Sequence, residues 1–316
     1  MQFGSSVKFH TLSSAILRSP WSAFLVVSLL LSLTACGGSM SANQTQSPPP
    51  LQPLGSGGTG SSGSGSQGTS GGSSDGTGSG SSSPAPPPPP SGPPGVPTGA
   101  HIDEAIQTLP NWEWCTATLD GHPCASGLGD ATSSMTQGQG DPSLSGKAAE
   151  FKLGGPTRYS NALWWKQLGP NSEPTHFVYD VYFYMTDPSA PEALEFDVNQ
   201  SMNGVRYTWG TECSYRNTGH WDIWNPEAGA WVTTSVACPQ VSANEWHHLT
   251  WTVERVNGQA HYISVELDGD VHTVDKYYNP QPHYQGDGVN VAFQLDGNYR
   301  QDPYSVWLDN VSLSSW

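Results

Sequence analysis

Glu195 and Asp197 are the residues whose type and spacing best suit chemistry. They lie with Asn199 on one face of a strictly alternating segment, residues 193–200, whose other face holds Leu194, Phe196 and Val198. A period of two is typical of a strand. Adjacent carboxylates on a strand are costly unless water, a cation or a ligand meets them. The pattern therefore predicts a solvent-open groove on a sheet face; a solvated outer face with incidental acids is the alternative.

A second group of candidates lies between Cys213 and Cys238 and in the few residues just before Cys213. Twelve of the thirteen Trp follow residue 100, which exceeds what one core needs. Aromatic rings stack on sugars and polar side chains bond their hydroxyls, so this group predicts a carbohydrate site; core packing is the alternative. The predicted binding residues are Glu195, Asp197, Asn199, Tyr207, Trp209, Glu212, Trp221, Asp222, Trp224 and Trp231.

The elements that must position these residues are almost wholly strands. Alternating segments rich in aromatic and β-branched residues recur from residue 177 to residue 313, and Gly, Pro, Asn and Asp separate them. Short strands at such spacing are typical of a β-sandwich or barrel, and residues 101–316 have a normal length for one such domain. One helix is predicted over residues 102–109, where Pro110 ends it.

Residues 1–35 have the pattern of an export signal. Lys8 and Arg18 give a positive start, and the apolar run that follows is too short to span a membrane. The run ends in LTAC at residues 33–36, which resembles the bacterial lipoprotein signal, in which Cys36 is lipidated and becomes the N-terminus. In that family Asp after the Cys marks retention in the inner membrane. Gly37 therefore favours the outer membrane or cell surface of a Gram-negative bacterium, and a secretory signal with a chance Cys is the alternative.

Residues 36–100 follow as a stretch dominated by Gly and Ser and then by Pro. Such a composition cannot bury a core, so the sequence predicts a disordered tether. The predicted organisation is a signal peptide over 1–35, the lipidated Cys and its tether over 36–100, and a folded domain over 101–316. The tether would hold that domain away from the membrane.

Charge and cysteine content narrow the partners and the compartment. The net charge of −16 argues against nucleic acid and anionic membrane surfaces as partners. Four cysteines remain after Cys36, an even number that suits an oxidising compartment. Of the three pairings they allow, Cys115 with Cys124 and Cys213 with Cys238 are predicted, because each closes a local loop rich in turn residues.

Metal binding is not predicted. No Cys-x-x-Cys spacing suggests zinc. Asp268 with Asp270, and Asp287 with Asn290, could ligate calcium, but Asp-Gly pairs are more often plain turns. We expect no cofactor.

Three stretches resemble the concanavalin A-like lectin/glucanase superfamily. WHHLTWTVER at residues 246–255, followed by the Asp268-Gly269 turn, resembles a strand and hairpin of laminin-G-like domains. WLDNV at residues 307–311 resembles a common last strand of the superfamily. EFDVNQ at residues 195–200 resembles the catalytic strand of family-16 β-glucanases. The resemblance implies an all-β fold, a jelly-roll β-sandwich of two antiparallel sheets with the ligand on a concave face.

The glucanase resemblance also implies roles for single residues. Glu195 matches the nucleophile and Asp197 the residue that tunes it, whereas the position of the acid/base is Gln200. A retaining glycosidase needs two carboxyl groups about 5 Å apart, and Gln cannot exchange a proton at any working pH. Either the acid comes from elsewhere, with Glu212 and Asp222 as candidates, or the site binds sugar without cleaving it.

Three hypotheses follow. The first is a surface-anchored lipoprotein with a lectin-like, carbohydrate-binding β-sandwich. The second is a retaining glycoside hydrolase or a polysaccharide lyase of the same fold, for which Glu195 and Asp197 are the catalytic candidates. The third is an adhesive module that binds protein.

Overall fold

The computed structural model describes residues 95–118 and 125–316. The predicted export signal, Cys36, nearly all of the tether and Cys124 lie outside the described residues. Within them, no helix has the length and apolar character needed to cross a membrane.

Seventeen strands make up the described fold. In chain order they are β1 His101–Asp103, β2 Glu113–Thr116, β3 Thr132–Gln139, β4 Ala148–Gly154, β5 Ala162–Gly169, β6 His176–Met185, β7 Pro191–Met202, β8 Val205–Trp209, β9 Thr211–Ser214, β10 His220–Asn225, β11 Ala230–Ala237, β12 Trp246–Val256, β13 Gln259–Leu267, β14 Asp270–Tyr278, β15 Gln281–Pro282, β16 Gly288–Gly297 and β17 Tyr304–Ser315.

The strands form two sheets packed face to face. The eight-stranded sheet has the order β14-β13-β12-β6-β17-β4-β3, with β1 beside β17. The nine-stranded sheet has the order β11-β10-β9-β7-β16-β5-β2, with β8 between β7 and β15. The predicted sandwich of two antiparallel sheets is therefore confirmed.

Alternation along the strands builds the core between the sheets. Phe183 of β6 and Phe196 of β7 meet across the interior with ring centroids 5.7 Å apart. Phe151 of β4 and Phe293 of β16 do the same at 5.1 Å. Such aromatic pairs add packing energy beyond the area they bury, and they set the side chains of alternate residues on the outer faces.

Tight turns join neighbouring strands. The predicted turn at Asp268-Gly269 is present between β13 and β14, with both residues at positive φ (53° and 91°). Asn203-Gly204 makes the same kind of turn between β7 and β8, at 52° and 79°. Two positive φ values in a two-residue loop match the twist of a hairpin, so the first turn fixes the register of β13 against β14 and the second that of β7 against β8.

The helix expected over residues 102–109 is wrong. The segment forms β1, which pairs with β17, and then a 3-10 turn, Ile106–Thr108. Tertiary contacts decide this, because the buried Gln107 amide donates to Asp309 at 3.0 Å and accepts from the Val311 N–H at 3.0 Å. These bonds hold the segment against β17.

Candidate functional site on the nine-stranded sheet

Strand β7 divides its side chains between the core and the outer face as its pattern predicts. Leu194, Phe196 and Val198 belong to the core cluster. Glu195 and Asp197 therefore lie on the outer face of the nine-stranded sheet, in the middle of it, because β16 flanks β7 on one side and β8 and β9 on the other.

The sequence predicted that these side chains would be open to solvent, but the structure buries them. Glu195 is 3% exposed, Asp197 1% and Asn199 0%. The physical reason is their place on a central strand, where same-face neighbours stand on both sides. Gln294 of β16 is directly opposite Glu195 on one side and Glu212 of β9 on the other. The carboxyl groups thus lie at the bottom of the face.

Strand pairing assembles a cluster of carboxyl groups around Glu195. Asp222 of β10 lies opposite Glu212, which extends the row across a third strand. Directly opposite residues in an antiparallel pair have Cβ atoms about 5 Å apart. Gln294 donates from Nε2 to Glu195 and also, at 2.9 Å, to Asp296, so its amide bridges two acids. We call this surface the acidic face.

Burial changes the ionisation of the cluster. It raises the pKa of Asp197 to about 7 and that of Asp296 to about 8. The pKa values of Glu195 and Glu212 lie well above their usual range, first because of burial and then because neighbouring acids repel the second charge. The negative charge of Asp197, two residues further along β7, is one of those that raise the pKa of Glu195. Burial also raises the pKa of Asp222.

Asn199 makes structural contacts at the other end of the row. Its amide nitrogen donates to Asn290 at 3.1 Å, and its oxygen accepts from Arg206 Nε at 3.2 Å. The Arg206 guanidinium lies 5.0 Å over the Tyr284 ring. Asn199 thus holds Arg206 near Asp197, whose pKa that positive charge lowers.

Two of the predicted Trp reach the acidic face. Trp224 of β10 and Trp231 of β11 are opposite each other and half-buried, with ring centroids 5.4 Å apart. Gly210 allows this arrangement: a Cβ there would lie 2.9 Å from the Trp224 Cβ, 3.5 Å from Asp197 Oδ1 and 3.5 Å from Trp231 Cη2. The rings therefore lie next to Asp197.

Three other predicted aromatic residues lie in the core instead. Tyr207 and Trp209 are on the β8 face that alternates with Thr208, and Trp209 packs on Phe177 at 5.3 Å. Trp221 meets Trp251 of the opposite sheet edge to face at 5.3 Å. Their cross-strand partners, such as Val198 for Trp209, are themselves core residues, so register sends these rings inward.

Sequence reasoning missed three members of the acidic face: Trp165, Gln294 and Asp296. Trp165 is partly exposed and lies opposite Ala292, which is opposite Asp197. The alternation that marks Phe293 and Leu295 as core residues would have placed Gln294 and Asp296 outside, so that signal was present. The alternation did not show, however, that β16 pairs with β7.

Gln200 lies on the wrong face for an acid/base. The register of β7 against β16 runs without a shift from residue 194 to residue 201, so Gln200 points inward. Its Oε1 accepts from Arg255 Nε at 3.0 Å, and its Nε2 donates to the Pro174 carbonyl at 3.0 Å. Glu212 is instead the carboxyl that lies opposite Glu195 on the neighbouring strand.

One of the two predicted disulfides has both of its cysteines among the described residues. Cys213 is bonded to Cys238, as predicted. Cys115 is also in a disulfide, and its expected partner, Cys124, lies outside the described residues.

Two of the four residues considered for calcium, Asp268 and Asn290, have other contacts. Asp268 accepts from the His248 N–H at 2.8 Å and is bonded to His247 Nδ1 at 2.7 Å. Asn290 accepts from Asn199. Among residues 95–118 and 125–316, no group of three or more His, Cys, Asp or Glu is arranged to hold a metal ion.

No family model matches the chain, and no curated protein matches it. A solved cellulose-induced protein, Cip1, is similar at 12% identity and a TM-score of 0.41 over 64% of this chain and 90% of its own. A carbohydrate esterase of bacteriophage phi24B gives 13% and 0.40 over 69% and 99%. An endo-beta-1,4-glucuronan lyase from the fungus Trichoderma reesei gives 12% and 0.36 over 65% and 95%. At such identities the likeness concerns the fold and not what the chain binds.

Proposed function

We propose that the domain binds a carbohydrate on the acidic face. The observation that carries the proposal is the position of Trp224 and Trp231 beside the buried polar row of Asp197 and Glu195. Rings of this kind stack on the apolar faces of sugars, and the partly exposed Glu212 carboxyl beside the buried row can bond their hydroxyls. A few polar groups fixed among aromatic walls are typical of a small-ligand site.

Binding by wild-type protein and by Trp224→Ala tests the proposal. A glycan array identifies a ligand, and calorimetry should then show weaker binding by Trp224→Ala, by roughly 1–3 kcal/mol, because apolar burial is lost. The matched control is Trp246→Ala, which removes a half-buried Trp from the other sheet and should leave affinity unchanged. If no glycan binds, or Trp246→Ala weakens binding as much as Trp224→Ala, the proposal is wrong.

A retaining glycoside hydrolase is the second candidate, and the Glu195–Glu212 pair favours it. The two residues are directly opposite on adjacent strands, which suits the separation of about 5 Å that a double displacement needs. Burial raises the pKa of both carboxyl groups above the usual range, so a carboxyl of this pair can hold a proton near neutral pH, as an acid/base must. Glu212 is the more exposed and is the acid/base in this scheme; Glu195 is the nucleophile.

Release of reducing sugars decides between the two candidates. Under the binding proposal, wild-type protein releases none from a panel of β-glucans, and Glu195→Gln loses only hydrogen bonds and a little affinity. Under the hydrolase scheme, wild-type protein releases sugar, and both Glu195→Gln and Glu212→Gln abolish the release. Binding on a protein array without glycan binding would instead favour the adhesive hypothesis.

We further propose that the domain is held at a bacterial membrane by lipid on Cys36. This proposal is supported by the LTAC sequence at residues 33–36, which directly follows an apolar run. The Gly-, Ser- and Pro-rich segment then gives the domain reach toward polysaccharide at the cell surface.

A further inference from the structure

A cavity of about 450 Å³ opens at one edge of the sandwich, away from the centre of the acidic face. It lies between β2, an edge strand of the nine-stranded sheet, and β3, an edge strand of the eight-stranded sheet. Its lining includes Trp112, Trp114 and Trp164 together with Ser133, Ser134 and Gln137. None of its lining side chains, all of them described residues, is charged.

One wall of this edge cavity is held rigidly. The Trp112 indole donates from Nε1 to the Ile106 carbonyl at 3.2 Å, and its ring packs edge to face on Phe151 at 5.6 Å. A wall that is already ordered loses little conformational freedom when a ligand arrives, which favours binding.

Trp114 is the most unusual residue of the cavity. Its side chain is 58% exposed, although its backbone pairs with that of the fully buried Trp164 in β5. A large ring left in water on an ordered strand gives up the free energy of burial unless something covers it. Trp114 therefore offers an uncovered apolar surface at the cavity, on which the face of a ligand can stack.

The polar groups of the cavity call for a ligand rich in hydroxyls. Gln137 is fixed in place, since its Nε2 donates to the Gln107 and Leu109 carbonyls at 2.6 and 2.9 Å. Trp164 Nε1 and Ser133 Oγ are buried without a hydrogen-bond partner. These two atoms are closed to a ligand, so the polar groups that a ligand can reach are the exposed side chains of Ser134 and Gln137.

We propose that the edge cavity is a second carbohydrate-binding site, which takes a neutral oligosaccharide. The exposed Trp114 ring can stack on the face of a sugar ring, and the fixed Gln137 amide and the Ser134 hydroxyl can bond its hydroxyls. The charge of the ligand follows from the surroundings: the lining offers no counter-ion, and residues 101–316 carry a net charge of −17, since Lys8, Arg18 and Asp75 are the only charged residues before them. Three strand spacings, about 14 Å, separate β2 from β7, so the site does not depend on the acidic face.

Variants of Trp114 in a protein whose acidic face is disabled test this inference. In a Trp224→Ala/Trp231→Ala background, cellohexaose, xylohexaose and mannohexaose are titrated by calorimetry, and Trp fluorescence is followed. We expect at least one hexasaccharide to bind and to shift the fluorescence. Trp114→Ala should lower that affinity about tenfold or more, and Trp114→Phe should keep most of it. The matched control is Tyr299→Ala, which removes a ring that is 54% exposed outside the cavity and should change nothing.

The outcomes separate this site from the acidic face. If the background protein binds no neutral hexasaccharide, or if Trp114→Ala binds as well as its parent, the edge site is wrong even where wild-type protein binds glycans through Trp224. Tighter binding of hexagalacturonate than of the neutral probes would overturn the neutral ligand. Binding that Trp114→Ala loses while Trp224→Ala keeps it supports the edge site and leaves the acidic face without its function.

Discussion

Individual carboxyl groups of the acidic face have raised pKa values, and the cause is their surroundings. Asp197 and Asp296 keep their protons to pH values near 7 and 8 because burial removes the water that would stabilise the charge. A strand that places acids side by side would be strained at neutral pH if all of them were charged. The raised pKa values of these acids and the hydrogen bonds from Gln294 to Glu195 and Asp296 relieve that strain.

The raised pKa values predict a stability that falls as pH rises. In the unfolded chain these Asp residues lose their protons near pH 4, whereas the folded domain retains them up to about pH 7 for Asp197 and pH 8 for Asp296. Between these limits the folded state binds more protons, so the free energy of unfolding decreases with pH. Asp296→Asn should lessen this decrease by at least about 1 kcal/mol. Thermal unfolding of the folded domain between pH 5 and pH 9 measures it.

Asp187→Asn is the control for this experiment. Hydrogen bonds to Ser189 lower the pKa of Asp187 below its usual value, so its contribution is present above the unfolded pKa and is lost only as pH falls below about 4. Asp187→Asn should therefore leave the slope between pH 5 and pH 9 unchanged. A melting temperature that rises over this range in the wild-type domain would contradict the burial of protonated carboxyls.

At the level of elements, β9, β10 and β11 carry the aromatic side of the site to the edge of the sheet. Cys213 in β9 is bonded to Cys238, just after β11, and the bond closes a separation of 25 residues. Both cysteines are buried in the core. The disulfide thus links the first and last of the three strands that hold Trp224 and Trp231.

Loss of this disulfide should weaken the fold and loosen the site. The Cys213→Ala/Cys238→Ala variant should lose about 2–4 kcal/mol of stability, because the unfolded chain regains the entropy of the closed loop. Denaturant unfolding measures this loss, and near-UV circular dichroism follows the order of the Trp residues. Cys115→Ala, which breaks the other disulfide, should leave the Trp224 and Trp231 signals in place. An unchanged unfolding midpoint in the double variant would show that strand pairing alone holds these elements.

For the whole molecule, anchoring remains a prediction from the sequence. Cys36→Ser should prevent lipid attachment, and the protein should then be recovered in the soluble fraction of the periplasm or medium. Gly37→Ala is the control, because it leaves the Cys in place and should stay with the membrane. Cell fractionation followed by immunoblotting measures both. Membrane association of Cys36→Ser would show that the lipoprotein interpretation is wrong.

The sequence predicted the sandwich and the two sides of β7. Period-two alternation is a local property, so Leu194, Phe196 and Val198 could be assigned to the core without any knowledge of their partners. The Cys213–Cys238 bond followed from the local loop that it closes. The same reasoning failed for residues 102–109, where β1 and a 3-10 turn form because Gln107 bonds to β17.

What the sequence determined by itself was therefore the type of each element and the division of its residues between two faces. Only the tertiary structure decided which faces meet. Strand pairing placed Glu212 and Gln294, which lie on other strands, directly opposite Glu195. It also directed the side chains of Trp209 and Trp221 into the core and left that of Gln200 facing inward. Burial follows from these neighbours, and burial shifts the pKa values. The physical reason is that alternation specifies direction within a strand, whereas register and strand order depend on contacts between distant residues.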